Sequence, residues 1–145
     1  MLYGTGKPQL ILKNADGSTS LSRTFPYCNA PVEPEFPEDG IVEWQDGNGK
    51  EFKVTRGVKV KIDLYWAKLS DAEYADLITM MKGQRVFSAA SNDTTYITIK
   101  PRVDDAESYD GYIVTPIKVL NEFWFQTHGA RLTFEGRTRL TTFLT

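Results

Sequence analysis

The feature that most limits the fold is a change of hydrophobic period within residues 58–83, VKVKIDLYWAKLSDAEYADLITMMKG. Its first half alternates. Val58, Val60, Ile62, Leu64 and Trp66 fall on one side of an extended chain, and Lys59, Lys61, Asp63 and Tyr65 on the other. A period of two belongs to a strand with one wet face. The period then becomes helical, because Tyr74, Leu77, Ile78 and Met81 recur at i, i+3, i+4 and i+7. Ser70 and Glu73 have the spacing of a capping box, and Asp71 adds negative charge where the helix dipole favours it. Lys82 suits the other end, and Gly83 is expected to leave the helix in the left-handed conformation. The stretch thus predicts a long strand, then one helix at about residues 70–82. Ile62, Leu64, Trp66, Leu77, Ile78 and Met81 are its predicted core.

The rest of the chain reads as strands and turns. Residues 1–8 are glycine-rich and read as an arm or edge segment, and GTGK within them lacks the spacing of a phosphate loop. Residues 9–13 and 19–25 flank an Asn-Ala-Asp-Gly turn and predict a hairpin. Residues 41–45 and 51–56 flank DGNGK and predict another, with Gly57 marking a bulge before the long strand. Further strands are expected at 85–89, 96–100, 112–120 and 130–136, with a turn at 91–94 and an acidic loop at 101–111. Pro116 should make part of 112–120 an edge or bulge. Residues 137–145 alternate without a turn residue and read as a tail. With no internal repeat and no linker, residues 1–145 are expected to form a single mainly β domain, a β-sandwich or open barrel with one α-helix.

Residues 26–40 stand apart. They hold Pro26, Pro31, Pro34 and Pro37 with Glu33, Glu35, Glu38 and Asp39 among them. Proline denies ladder hydrogen bonds, so an irregular loop is expected, either a contact arm or a solvated connection. As an arm, its anchor would be Phe36, and its acids Glu33, Glu35 and Glu38 would meet the basic end formed by Arg131, Arg137 and Arg139 on a neighbouring copy. Phe123, Trp124 and Phe125 in succession must face two ways. Either Trp124 waits for a partner, or the strand is buried on both faces.

Composition narrows the chemistry. The formal net charge is −2, so no general basic field exists to bind nucleic acid. One cysteine, Cys28, excludes an intrachain disulfide and a multi-cysteine zinc site. One histidine, His128, has no nucleophile motif beside it. Asp104, Asp105, Glu107 and Asp110 do not match the spacing of a calcium-binding EF-hand loop. No catalytic residue, metal ligand or cofactor is expected. Neither a secretory leader nor a membrane-spanning run is seen, and an enzyme is not expected.

The order of these segments is familiar. A strand ending in YWAKLS leads into DAEYADLITMMKG, followed by TYITIKPR, DGYIVTPIKV and RLTFEG. Over roughly residues 40–137 this resembles the tail-tube-like β-sandwich of tailed-phage tail proteins, in particular the distal tail and baseplate-hub family. The resemblance implies a non-enzymatic virion protein, made in the host cytoplasm. It implies assembly into a homo-oligomeric ring, a hexamer by family habit, that contacts other tail proteins and neither a membrane nor a specific nucleic-acid sequence. A carbohydrate-binding β-sandwich, using exposed Trp and Tyr to stack on sugars, is the alternative.

Overall fold

The computed structural model describes residues 7–28, 34–39, 42–54, 57–104, 107–114, 118–122 and 127–138. They form a mainly antiparallel β fold with one helix. In chain order the elements are β1 (Gln9–Lys13), β2 (Thr19–Thr24), β3 (Glu38–Asp39), β4 (Val42–Gln45), β5 (Glu51–Val54), β6 (Gly57–Val58), β7 (Lys61–Leu69) and α1 (Asp71–Gly83). After the helix come β8 (Phe87–Ser88), β9 (Asp93–Thr94), β10 (Tyr96–Lys100), β11 (Tyr109–Ile113), β12 (Lys118–Glu122) and β13 (Thr127–Gly136).

The main sheet runs β2–β1–β10–β11–β13–β7 in space. The long β13 holds it together. One edge pairs with β7, setting Leu132 opposite Leu64 and Phe134 opposite Ile62. The other edge carries β11 and β12 end to end. Ile113 faces Phe134 and Lys118 faces Arg131, so four residues on one side span the place of two on the other. The expected strand 112–120 is therefore two strand segments with a register break. Pro116 falls in that break, but residues 115–117 lie outside the described set.

The alternating face is buried throughout: Val58, Val60, Ile62, Leu64, Trp66 and Leu69 are core residues. All but Val58 join one cluster with Leu10, Leu12, Ile97, Ile99, Leu132 and Phe134 from the other strands. Trp66 ties the edge strand β7 to the far edge of the sheet. Its ring lies 5.2 Å from Phe25, the residue after β2, and its indole N–H donates to the Pro26 carbonyl at 2.8 Å. The sheet curls far enough to bring its first and last strands together at that end, around α1, which packs on β1, β2, β7 and β13.

The helix begins as its sequence dictates. The Ser70 hydroxyl accepts from the Glu73 N–H at 3.3 Å, and the Ser70 N–H donates to Glu73 Oε1 at 2.9 Å. Its inward stripe, however, is rotated from the expected one. Leu77 and Met80 are fully buried, Tyr74 and Met81 pack on the core from its margin, and Ile78 is half-buried. A helix lying in a curled sheet is covered most deeply along a narrow line, and here that line runs through Met80.

The exit also differs. Gly83 ends the helix without positive φ, and the left-handed residue is Arg85, at φ 65°. What Gly83 supplies is room, since a Cβ there would lie 2.8 Å from Leu12 Cδ2. Thr95 fixes the turn: its hydroxyl donates to the Gly83 carbonyl at 2.6 Å and accepts from the Val86 N–H at 2.8 Å. Gln84 then uses both ends of its amide on the N–H and C=O of Ile113.

Two further expectations change. Residues 96–100 alternate in sequence, yet Tyr96 and Thr98 are buried along with Ile97 and Ile99. Thr98 tolerates this by donating to Asp110 Oδ1 at 2.6 Å. In place of a strand over 85–89, only Phe87 and Ser88 pair, with Thr94 and Asp93.

The proline-rich segment is the largest correction. It is expected to be an irregular loop, either a contact arm or a solvated connection, but its residues 34–39 run antiparallel to residues 57–61 of the same chain. Glu35 faces Lys61, Glu38 faces Val58, Asp39 faces Gly57, Val42 faces Val54 and Gln45 faces Glu51. No residue is gained or lost between rungs on either strand, so the register matches on both sides of residues 40–41 and 55–56, which lie outside the described set. The β3–β6 pair continues β7 beyond the sheet, and the β4–β5 pair closes at DGNGK, where Gly49 takes φ 84° and Asp46 Oδ1 accepts from the Asn48 and Lys50 N–H groups. Pro37 is accommodated because a ladder also needs acceptors: its carbonyl accepts from the Lys59 N–H at 3.3 Å.

Candidate assembly surface

Among the described residues, the β4–β5 hairpin stands out for its exposure. Every residue from 43 to 51 is exposed. Among the described residues β4 and β5 pair only with each other. Trp44 and Phe52 face one another across the ladder with rings stacked 5.1 Å apart and 9° from parallel. Lys50 Nζ sits 5.2 Å from the Phe52 ring, yet Trp44 remains 48% exposed. Strand alternation puts Glu43, Gln45 and Glu51 on the opposite face. Lys53 pairs opposite Glu43 on that face. A two-stranded hairpin alone is marginally stable in water, so a tip with an exposed aromatic pair on one face and charged residues of both signs on the other is a surface suited to a partner.

A second surface lies where the helix exit meets the sheet. Lys59, Arg85, Tyr112, Val114, Glu135 and Arg137 line an open cleft there. Arg85 is held in the left-handed region by its N–H bond to the Thr95 carbonyl, 2.9 Å, and its guanidinium lies 4.6 Å from the Tyr112 ring centre. A non-glycine residue in that region carries strain, so the surrounding contacts fix its direction. Val86 and Phe87 follow directly, 55% and 62% exposed, and Val114 on the cleft wall is 40% exposed. The Tyr112 hydroxyl is 2.7 Å from Thr94 Oγ1.

The sequence-predicted interface residues divide. Glu35 holds Lys61 through its backbone while its side chain is exposed. Phe36 packs edge-on against Tyr109, centroids 6.2 Å apart. Arg131 lies over Tyr65 at 4.7 Å and is exposed. Arg137 is not free to donate to a neighbour's acid. Its Nη1 lies 3.2 Å from both Asp93 oxygens, and its guanidinium lies 3.9 Å from the Tyr96 ring. Burial, and next Asp110, raise the Tyr96 phenol above its usual range, while Arg137 pulls it the other way. Glu38 is placed by its backbone pairing alone. Glu33, Trp124 and Arg139 lie outside the described residues, as do Phe123 and Phe125.

Sequence reasoning missed Trp44, Phe52, Arg85 and Phe87 as surface features. Trp44 had a signal, since a tryptophan two residues before a tight hairpin turn sits where little core can reach it.

Burial pushes the Cys28 thiol up to about 11, and the side chain packs against the core margin. His128 faces Leu69 and Asn121 through its backbone, and its side chain lies outside the described set. Among the described residues no three His, Cys, Asp or Glu side chains converge as a metal site, and no helix is long and apolar enough to cross a membrane. No protein-family model matches the sequence, and no curated protein matches it.

Proposed function

We propose that the chain is a structural component of a phage tail, forming a ring that continues the tail tube or joins it to the distal tip or baseplate. The observation that carries this reading is the β-ribbon, anchored at Glu35 and Lys61 and exposed from Glu43 to Glu51. A two-stranded hairpin with an aromatic pair exposed on one face offers a surface on which a neighbouring copy could pair. The segment order noted above supplies the phage-tail assignment, and the antiparallel β architecture with one helix is compatible with it.

A carbohydrate-binding module is the second reading, favoured by Trp44 with Glu43, Gln45 and Glu51 beside it. An exposed indole flanked by carboxylates and an amide offers stacking and hydrogen bonds to a sugar. Sedimentation across a concentration series, with and without mixed oligosaccharides, separates the two. Self-association indifferent to sugar supports the tail reading. A monomer whose tryptophan fluorescence changes with sugar supports the other and removes the first.

A further inference from the structure

We propose that the cleft at the helix exit binds a small organic monocarboxylate bearing hydroxyl groups, a sugar acid being the simplest member of the class. Its walls come from β9, β11, β13 and the residues around them, and none comes from the β4–β5 hairpin. The proposal therefore stands apart from both readings above.

Size comes first. The cleft holds about 410 Å³, within the range of small-molecule sites and more than a bare inorganic anion fills. Charge comes next. Lys59, Arg85 and Arg137 line it together with Glu135. Arg137 is committed to Asp93, with Nη1 3.2 Å from both carboxylate oxygens. Among the described residues Lys59, Arg85 and Glu135 form no ion pair. Two free cations against one free carboxylate leave a single positive charge, which a monoanion matches.

Arg85 is the group placed for the ligand's carboxylate. Its backbone is held at φ 65° by the bond to Thr95, and strain of this kind concentrates at ligand-holding positions. Its guanidinium rests over the Tyr112 ring, a contact that needs no N–H donor. The donors remain for a two-point contact with a planar carboxylate, and Lys59 adds a point charge. Glu135 sets the rest of the selectivity. An acceptor beside an anionic ligand is tolerated only where the ligand offers it O–H donors. The Thr94 and Tyr112 hydroxyls already share a hydrogen bond, so Glu135 is the acceptor left for those donors.

The test titrates the full-length protein calorimetrically with sodium glucuronate, and with glucose, acetate and sulfate at matched ionic strength. Glucose lacks the carboxylate, acetate lacks the hydroxyls, and sulfate carries the wrong charge. Glucuronate should bind about tenfold or more tighter than each of the three. Arg85→Gly removes the guanidinium and keeps the left-handed backbone, and it should weaken glucuronate binding about tenfold or more. Lys59→Gln should weaken it by a smaller factor. Glu135→Met should lower the ratio of glucuronate to acetate affinity about fivefold, a change in selectivity that a folding defect does not produce. Circular dichroism checks that the variants fold.

No binding of glucuronate at millimolar concentration overturns the proposal. Equal binding of acetate or sulfate makes the cleft an unselective cationic surface and overturns it too. Equal binding of glucose removes the carboxylate from recognition. Wild-type affinity in both Arg85→Gly and Lys59→Gln places the ligand elsewhere and is equally fatal.

Discussion

Glu35 and Lys61 exchange both of their backbone hydrogen bonds, the Glu35 N–H to the Lys61 carbonyl at 2.8 Å and the Lys61 N–H to the Glu35 carbonyl at 2.7 Å. This pair is the hinge between two parts of the molecule. On one side β7 enters the core, and on the other the same chain becomes half of a ribbon. Removing residues 32–38 deletes that first rung and the Pro37 acceptor, so the melting temperature should fall by several degrees. Replacing residues 43–51 with a short turn should leave it within about one degree, because exposed sites contribute little to stability. Calorimetry on the two variants checks this. Equal melting temperatures would mean the ribbon base is not part of the fold.

Leu77 and Ile78 are neighbours with unequal burial. Leu77→Ala should destabilise by about 2–5 kcal/mol, because the site is fully enclosed. Ile78→Ala should cost clearly less. Urea denaturation distinguishes them, and equal losses would rotate the helix back to the stripe read from sequence.

Gly111 has no space for a side chain. An added Cβ would stand 2.1 Å from the Glu135 carbonyl oxygen and 2.8 Å from Phe134 Cζ. The obstacle at Glu135 is backbone, which cannot rotate away. Gly111→Ala should therefore cost at least about 1–3 kcal/mol, the usual range for overpacking. An unchanged denaturation midpoint would show that β11 and β13 are not paired as described.

These three sites mark what was legible in the sequence. The strand face from Val58 to Trp66 and the Ser70–Glu73 cap depend on local spacing, and both stand in the structure. The ribbon was hidden because four prolines imply a failed ladder, whereas an antiparallel rung loses only the donor that proline lacks and keeps its carbonyl. The double burial of β10 was hidden because it depends on neighbours distant in sequence: the Thr98 hydroxyl is satisfied by donating to Asp110 on β11. Arg85 was hidden because left-handed backbone is read from glycine, and here Thr95 holds an arginine in it. Surface pairing across copies leaves the least trace, since no periodicity records it.

Cys28 gives a pH signature. Its folded pKa is raised from 9.0 to about 11 by burial, so the fold favours the neutral thiol. The sign follows from linkage. Stability from this group is complete below pH 9 and is lost as the pH climbs through about 11. Alkylation of Cys28 by iodoacetamide, read by mass across a pH series, should rise about a midpoint near pH 11 in the native protein and about two units lower in denaturant. A native midpoint near 9 would place the thiol in water.

Electron microscopy of the purified wild-type protein tests the ring most directly. Class averages should show closed, symmetric particles with a central opening, and native mass should give a whole-number multiple of the 16.4 kDa chain, six by the resemblance to tail proteins. A single 16.4 kDa species at every concentration, with no ring in any class, would contradict it.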